Sequence, residues 1–346
     1  MNPSFEIEGR KIGLDYEPFV IAELGINHGG SLQTAYEMVD AAHKAGAEVI
    51  KHQTHIASEE MSKVAKTVIP SHTKESIFDI IDSCSLSESE EAELQRYVIS
   101  KGMIFISTPF SREAANRLEK MNVPAYKVGS GECNNYPLIR HISSFGKPVI
   151  LSTGMNDINS ISKAVNILRS NKIQFALLHC TNVYPTPSNL VRLNAINELR
   201  IAFPDAVIGL SDHTTTNYPC IASVALGASI LERHFTDRMD REGPDIVCSM
   251  DPNALKELLY ASKIVRLARD GEKKPVKEES GTIKFAYASV VTIKHIKKGE
   301  TFSRENLWVK RPGTGEILAE EYESILGKTA SRNINTDELL RKTDII

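Results

Sequence analysis

From about Phe19 to Asp270, short runs rich in β-branched residues alternate with longer amphipathic runs, and this rhythm constrains the fold more than any other feature of the chain. The eight short runs are FVIAELG (19–25), EVIKHQT (48–54), IFISTP (104–109), AYKVGS (125–130), PVILST (148–153), FALLHC (175–180), VIGLSD (207–212) and ILERHFT (230–236). Between them, segments such as SLQTAYEMVDAAHKAG and INSISKAVNILRSN place apolar residues at helical spacing, and they mostly start at Ser, Asp or Asn and stop at Gly or Asn. Strands alternating with helices run parallel. Eight such units in roughly 250 residues fit a closed (β/α)8 TIM barrel better than an open doubly wound sheet. A segment between Thr54 and Glu88 breaks the rhythm. It is too long for an ordinary strand-to-helix connection and is expected to fold over the barrel mouth as a lid or substrate wall.

The barrel reading covers residues 1–270. Residues 271–284, which include GEKKPVKEESGT, are charged and poor in large apolar side chains and read as a linker. Residues 285–346 then carry short strands such as ASVVTIK and turn signals such as KKGE and RPGTGE, so a small strand-rich domain is expected there. About 60 residues make a marginal core, and this module is expected to pack on something else.

With 41% hydrophobic and 25% charged residues in a chain of 346, disorder and a small stapled scaffold are both excluded. No apolar run approaches the ~20 residues that span a bilayer. The start MNPSFEIEGRK lacks the basic-then-apolar pattern of a signal peptide, so a cytoplasmic location away from membranes is expected. The five cysteines are scattered and form no C-x-x-C pair, which points to ordinary buried thiols. A net charge of −3 without a long basic run argues against nucleic acid and for a small-molecule partner.

In a barrel of this kind the chemistry lies at the C-terminal ends of the strands. Polar residues collect there: Glu23; Lys51, His52 and Gln53; Ser107 and Thr108; Lys127, Ser130 and Glu132; Ser152 and Thr153; His179 and Asn182; Ser211, Asp212 and His213; Glu232 and His234. A lysine pointing into a barrel is costly unless an anion meets it, so Lys51 and Lys127 suggest an anionic substrate. The turn GSGE (129–132) could add backbone N–H groups to such a cradle. His213 and His234 end adjacent strands and could be ordinary core histidines, but as a pair facing one cavity they suit a divalent metal with positions left open to water or substrate oxygen. Glu23 could act in chemistry or simply accept N–H groups of the Gly-rich turn. Strand alternation puts Glu232 and His234 on one face and Arg233 on the other; if the histidines hold a metal, Glu232 stands behind them, with Arg233 in structural pairing outside the barrel.

The motifs AELGINHGG, VIKHQTH, STPFS, YKVGSGE, STGM, LLHCTNVYPTP, GLSDHT and LERHFT, followed by GPD and a terminal KRPGTG, together resemble the bacterial sialic acid synthases over nearly the whole chain. The resemblance implies a metal-dependent condensation of phosphoenolpyruvate with N-acetylmannosamine and water, giving N-acetylneuraminate and phosphate for surface-glycan or capsule synthesis. It implies that His213 and His234 hold a divalent metal, manganese first, with magnesium or cobalt as alternatives. It gives phosphoenolpyruvate to Lys51, Thr108, Lys127, Ser130, Ser152, Asn182 and Ser211, and the aminosugar to Gln53, Glu132, Tyr184, Asp245 and Arg311. Glu23 falls near the reacting carbon, and either Glu132 or Glu23 carries the proton. The terminal module resembles type III antifreeze proteins, the SAF domain, which in these synthases reaches across a domain-swapped homodimer to cover the partner's barrel.

Three other readings stay open at this point. Legionaminic or pseudaminic acid synthases share the motifs and differ in the acetamido sugar; KHQTH and LERHFTDRMDREGPD resemble the sialic acid type more. A pyruvate aldolase could use Lys127 or Lys51 as a Schiff base. The antifreeze-like module could also bind carbohydrate or ice beside an inert barrel.

Overall fold

A computed structural model describes residues 2–69 and 75–346; the remainder of the 54–88 insertion, residues 70–74, lies outside the described residues. The chain divides into two compact units, Met1–Asp270 and Gly271–Ile346.

The first unit opens with an antiparallel hairpin, β1 (Ser4–Ile7) and β2 (Arg10–Gly13), with Phe5 opposite Ile12. Glu8 and Gly9 close it in the left-handed region, at φ 47° and 81°, as a two-residue hairpin turn requires. The sequence reading missed this element, because two four-residue strands present too short an alternation to stand out. Eight parallel strands follow: β3 (Phe19–Gly25), β4 (Val49–Thr54), β5 (Ile104–Pro109), β6 (Tyr126–Val128), β7 (Val149–Ser152), β8 (Phe175–Cys180), β9 (Val207–Ser211) and β10 (Ile230–His234). They pair in chain order and β10 closes on β3, completing the barrel expected from the sequence.

The helices between them are α1 (Leu32–Ala45), α2 (Ala57–Glu60), α3 (Ile77–Cys84), α4 (Glu88–Ser100), α5 (Arg112–Lys120), α6 (Tyr136–Ser143), α7 (Ile158–Ser170), α8 (Ala195–Ala202), α9 (Tyr218–Ala225) and α10 (Pro252–Arg269). Side-chain caps start many of them: Ser31, Ser87, Ser111, Asp157 and Asp251 each accept a backbone N–H of the first turn. Their apolar faces pack on the outward strand residues, as with Met38, Val39, Leu94 and Val98 against Ala22 and Ile50. The inward residues Ile21, Val49, Ile106, Ile150 and Leu178 form a second core that the hairpin residues Phe5, Ile7 and Ile12 join. That core fills the lower barrel, which leaves polar strand ends only at the top. The 54–88 insertion holds α2, a 3-10 turn at Lys63–Thr67, and α3. The end of α3 lies against the turn after β3 so closely that a Cβ on Gly30 would meet the Ser83 carbonyl oxygen at 2.3 Å.

The second unit carries a 3-10 turn (Lys277–Glu279) and α11 (Ser280–Ala286) in and after the segment read from the sequence as a linker, residues 271–284. Glu279 accepts the Val276 N–H and starts this turn, a local capping signal that overrides the polar composition. β11 (Ser289–Thr292) and β12 (Leu307–Lys310) pair antiparallel, and α12 (Tyr322–Ile325) follows. The unit has its own core of Val290, Ile296, Phe302, Leu307, Ile317, Ile334 and Leu340. No helix among the described residues is long and apolar enough to cross a membrane.

Candidate active site

Alternation along β4 sends Lys51 and Gln53 inward and His52 and Thr54 outward. The inward lysine meets two carboxylates: Lys51 Nζ lies 2.7 Å from Glu23 Oε1 and 3.4 Å from Glu232 Oε1. Lys127 Nζ, from β6, approaches the same Glu232 oxygen at 3.1 Å. All four side chains are buried. Burial pushes the Glu23 carboxyl up, but the ammonium of Lys51, then His234 and Lys127, outweigh it and hold the group below the ordinary carboxylate value. Burial likewise works against the Lys51 charge, and Glu23 and Glu232 overcome it. For Lys127 burial wins, and its pKa is lowered. The floor of the barrel mouth thus brings together two lysines and two carboxylate side chains.

Above this floor is a cleft of ≈ 470 Å³, counting its open mouth, in the size range of small-molecule sites. Thr108, Ser130, Ser152, Asn182 and Ser211 line it together with both lysines. Lys51 donates to Thr108 Oγ1 at 3.3 Å, and Ser211 Oγ donates to Glu232 Oε1 at 3.0 Å. The Gly154 N–H donates to Ser130 Oγ at 3.0 Å. A Cβ on Gly154 would stand 1.9 Å from Asn182 Oδ1, so only glycine lets the loops after β7 and β8 approach this closely. Ser152 Oγ is buried with no hydrogen-bond partner. A buried hydroxyl without a partner costs stability, and here it faces a cavity already rich in cationic and hydroxyl donors.

His213 and His234 stand on the opposite wall with ring centroids 5.5 Å apart. His213 Nδ1 donates to the Thr181 carbonyl at 3.1 Å, which leaves its Nε2 with the lone pair. Burial, with the neighbouring His234, lowers its pKa to about 3 and keeps the ring neutral. His234 Nδ1 is buried without a hydrogen bond; Asp245 Oδ2 lies 3.7 Å from it, and Glu23 Oε2 lies 3.8 Å from Nε2. Gly25 makes room for that ring: at φ 55°, a Cβ there would touch it at 3.1 Å. The two imidazoles are nitrogen ligands of the kind a first-row divalent ion takes. Among the described residues no three His, Cys, Asp or Glu side chains form a cage by themselves, so a site here would be open. The Tyr184 ring packs over His213 at a centroid distance of 4.0 Å.

The NeuB family model matches residues 38–274, and the SAF domain model matches residues 287–346. The chain belongs to the NeuB family. An uncharacterized protein of Methanocaldococcus jannaschii is 39% identical over 343 residues, covering 99% of this chain and 98% of that one. The N,N'-diacetyllegionaminic acid synthase of Campylobacter jejuni is 38% identical over 332 residues, covering 93% and 98%. Among solved structures, the N-acetylneuraminic acid synthetase of Leptospira borgpetersenii, in complex with citrate, superposes with a TM-score of 0.75 at 30% identity, covering 82% of this chain and 96% of that one.

In this NeuB-family barrel, three residues named from the sequence lie off the cleft lining. Glu132 ends a 3-10 turn and accepts from Asn135 Nδ2 at 2.5 Å. Asp245 stands behind His234, and Arg311 belongs to the second unit, on the segment after β12. Glu232 differs from its expected place behind the histidines: its contacts are Lys51, Lys127 and Ser211, because β10 sits between β9 and β3 and points this residue across the floor. Arg233 points outward and binds the Asn217 side chain at 2.6 Å, the carbonyls of Thr214 and Cys248, and Asp212 at 3.6 Å. Sequence reasoning also passed over Phe110 and Cys180 in the lining and the buried Glu91 of α4. For Glu91 the signal was its spacing one turn from Leu94 and Gln95 on the inward face of an acidic helix.

Proposed function

We propose that this chain catalyses the condensation of phosphoenolpyruvate with N-acetylmannosamine and water, releasing N-acetylneuraminate and phosphate. The observation that carries the reading is the meeting, in one cleft, of two buried lysines, the unpartnered Ser152 hydroxyl and the imidazoles of His213 and His234. Phosphoenolpyruvate brings a phosphate and a carboxylate, and Lys51, Lys127, Thr108, Ser130, Ser152, Asn182 and Ser211 supply charge-assisted and hydroxyl donors for both. That arrangement leaves the methylene carbon free to attack the aldehyde carbon of the open-chain sugar. Water then adds at the former enol carbon, and cleavage of its bond to the phosphate oxygen releases phosphate. His213 and His234 would hold a divalent ion, manganese first, whose Lewis acidity favours negative charge on the sugar's aldehyde oxygen. Gln53, Tyr184 and Asp245 would orient the aminosugar. Glu23, tied to Lys51, is suited to orienting water as a carboxylate. Glu132 is suited to carrying a proton: burial raises its pKa, Asn135 opposes this, and the charge of Glu60 adds to it. Arg311 would reach the sugar from the second unit of a partner chain in a homodimer.

The 38% identity to a diacetyllegionaminic acid synthase supports a second reading, in which the same chemistry acts on a 2,4-diacetamido sugar. A phosphate-release assay separates them. With phosphoenolpyruvate, release is expected with unphosphorylated N-acetylmannosamine, to be lost in chelator and restored by manganese. Release only with the 2,4-diacetamido sugar, or only with N-acetylmannosamine 6-phosphate, would overturn the assigned substrate. Borohydride trapping of pyruvate on Lys127 or Lys51 would overturn the reaction class.

A further inference from the structure

The residues just after β4 carry no role so far, yet they connect to the cleft through an unbroken series of hydrogen bonds. α2 begins three residues after Thr54, and its short turn, fixed by the Glu59 and Glu60 N–H groups on the Ile56 carbonyl, brings Glu60 back over His55. The Glu60 carboxylate oxygens lie 2.9 and 3.1 Å from His55 Nδ1. Both side chains are more than nine-tenths buried. His55 Nε2 lies 3.1 Å from Gln53 Oε1, and Gln53 Nε2 donates to Glu23 Oε1 at 2.6 Å. The His55 ring is held flat against Phe110, at 4.2 Å and 14° between planes, and Phe110 is part of the cleft wall.

We infer that Glu60 and His55 are positioning residues: they fix which end of the Gln53 amide faces Glu23, and so hold the Glu23 carboxylate in the orientation that the sugar step uses. The inference rests on the synthase reading given above. The reason lies in the amide. Its oxygen and nitrogen have nearly the same shape, so packing cannot choose between the two orientations, and only hydrogen-bond partners can. Glu23 accepts and cannot donate, so it needs the NH2 end. If the amide turned over, two acceptors would face each other at 2.6 Å in a buried site. His55 prevents this by donating from Nε2 to Gln53 Oε1. Glu60 makes that contact dependable, since its carboxylate at Nδ1 holds the ring in the orientation that keeps Nε2 on Gln53 Oε1. Phe110 fixes the plane in which the ring does so. Glu23 then has two donors at Oε1, Lys51 and Gln53, which leaves Oε2 directed toward His234.

A merely structural role, holding α2 down, makes a different prediction. His55→Phe keeps the ring that stacks on Phe110 and removes both donors. The expected result is a chain that still folds, with its melting temperature lowered because Glu60 loses its buried partner, a KM for the sugar raised and a kcat lowered by about 10-fold each, and a KM for phosphoenolpyruvate within about twofold. Glu60→Gln should move the same constants in the same direction, and Glu60→Asp should recover most of the loss. Unchanged sugar kinetics in both His55→Phe and Glu60→Gln, or a parallel rise in both KM values, would overturn the inference. Crystal structures of the wild type and His55→Phe give the readout that does not depend on turnover. Separation of Gln53 Nε2 from Glu23 beyond about 3.5 Å in the variant supports the positioning role, and an unchanged contact overturns it. Wild-type chain that releases phosphate with neither sugar would sink the synthase reading while leaving this structural comparison decisive for the dyad.

Discussion

The ammonium of Lys127 lies 3.1 Å from Glu232 Oε1, with both side chains about 2% exposed. The second oxygen of Glu232 has no hydrogen-bond partner, so the carboxylate is retained by the lysines and Ser211 alone. In a low-dielectric site a countercharge of this kind offsets part of the cost of burying two lysines before an anionic substrate arrives.

Glu232→Gln removes that countercharge and leaves Lys127 without its nearest anion. Breaking a buried pair from one side costs about 3 kcal/mol or more, which a denaturant or thermal unfolding measurement will read. Phosphoenolpyruvate supplies negative charge at the same place. It should therefore raise the melting temperature of the variant by more than it raises that of the wild type; equal increments would show that the substrate does not take over the role of Glu232.

Gly154→Ala places a methyl group where Asn182 Oδ1 and Ser130 Oγ now stand, at 1.9 and 2.9 Å. Asn182 must swing away from the cleft, at a cost of about 1–3 kcal/mol for the overpacked site. Isothermal titration with phosphoenolpyruvate should show affinity reduced by about 10-fold or more. Wild-type affinity would mean that Asn182 is not part of the anion cradle.

Neighbouring glutamates of α4 should behave very differently. Glu91 is fully buried and accepts from Thr54 and from Arg117 (3.2 Å), with His52 Nδ1 at 3.0 Å. Glu90 sits at the exposed start of the helix and accepts the Ser87 N–H in a capping box. Glu91→Ala strands Arg117 and should cost about 3–5 kcal/mol, whereas Glu90→Ala should cost about 1 kcal/mol. Acid adds a second check. Burial raises the Glu91 pKa, but bonding from His52 and Thr54 and the charge of Arg117 bring it below the ordinary value. A lowered folded-state pKa means that the stabilisation is complete above the unfolded value of about 4.3 and is lost as pH falls through the folded value. Urea midpoints measured from neutral pH down to acid should fall more steeply in the wild type than in Glu91→Gln.

Arg311→Ala should raise the KM for the sugar by about 10-fold or more while sparing phosphoenolpyruvate, as expected for loss of one charged contact. The partner arrangement is testable by mixing. If Arg311 serves the barrel of the other chain, a dimer made from one His234→Ala chain and one Arg311→Ala chain contains one fully native site and turns over with the wild-type sugar KM, which neither homodimer shows. If Arg311 serves its own barrel, the mixed dimer stays as impaired as its parents. Co-expression with two affinity tags isolates the mixed species.

Much of the architecture was legible because it rests on local signals. β-branched runs bounded by caps and glycines located the strands of the barrel, and the two-residue period along β10 assigned Glu232 and His234 to one face and Arg233 to the other. The β1–β2 hairpin escaped because Phe5, Ile7 and Ile12 gain meaning only from the barrel interior that they close. The 3-10 turn before α11 escaped because composition outweighed the one capping contact between Glu279 and the Val276 N–H.

The sequence by itself determined which side chains face inward at the strand ends, since alternation is a property of each strand alone. Only the tertiary structure decided what each of them meets. Closure of β10 against β3 set Glu232 against the two lysines and not behind the histidines, and the turn of α2 returned Glu60 to His55, Gln53 and Glu23. These partners are joined by barrel closure and loop geometry, and the energy of a buried charge depends on the distance to its counterion, which no local pattern in the chain encodes.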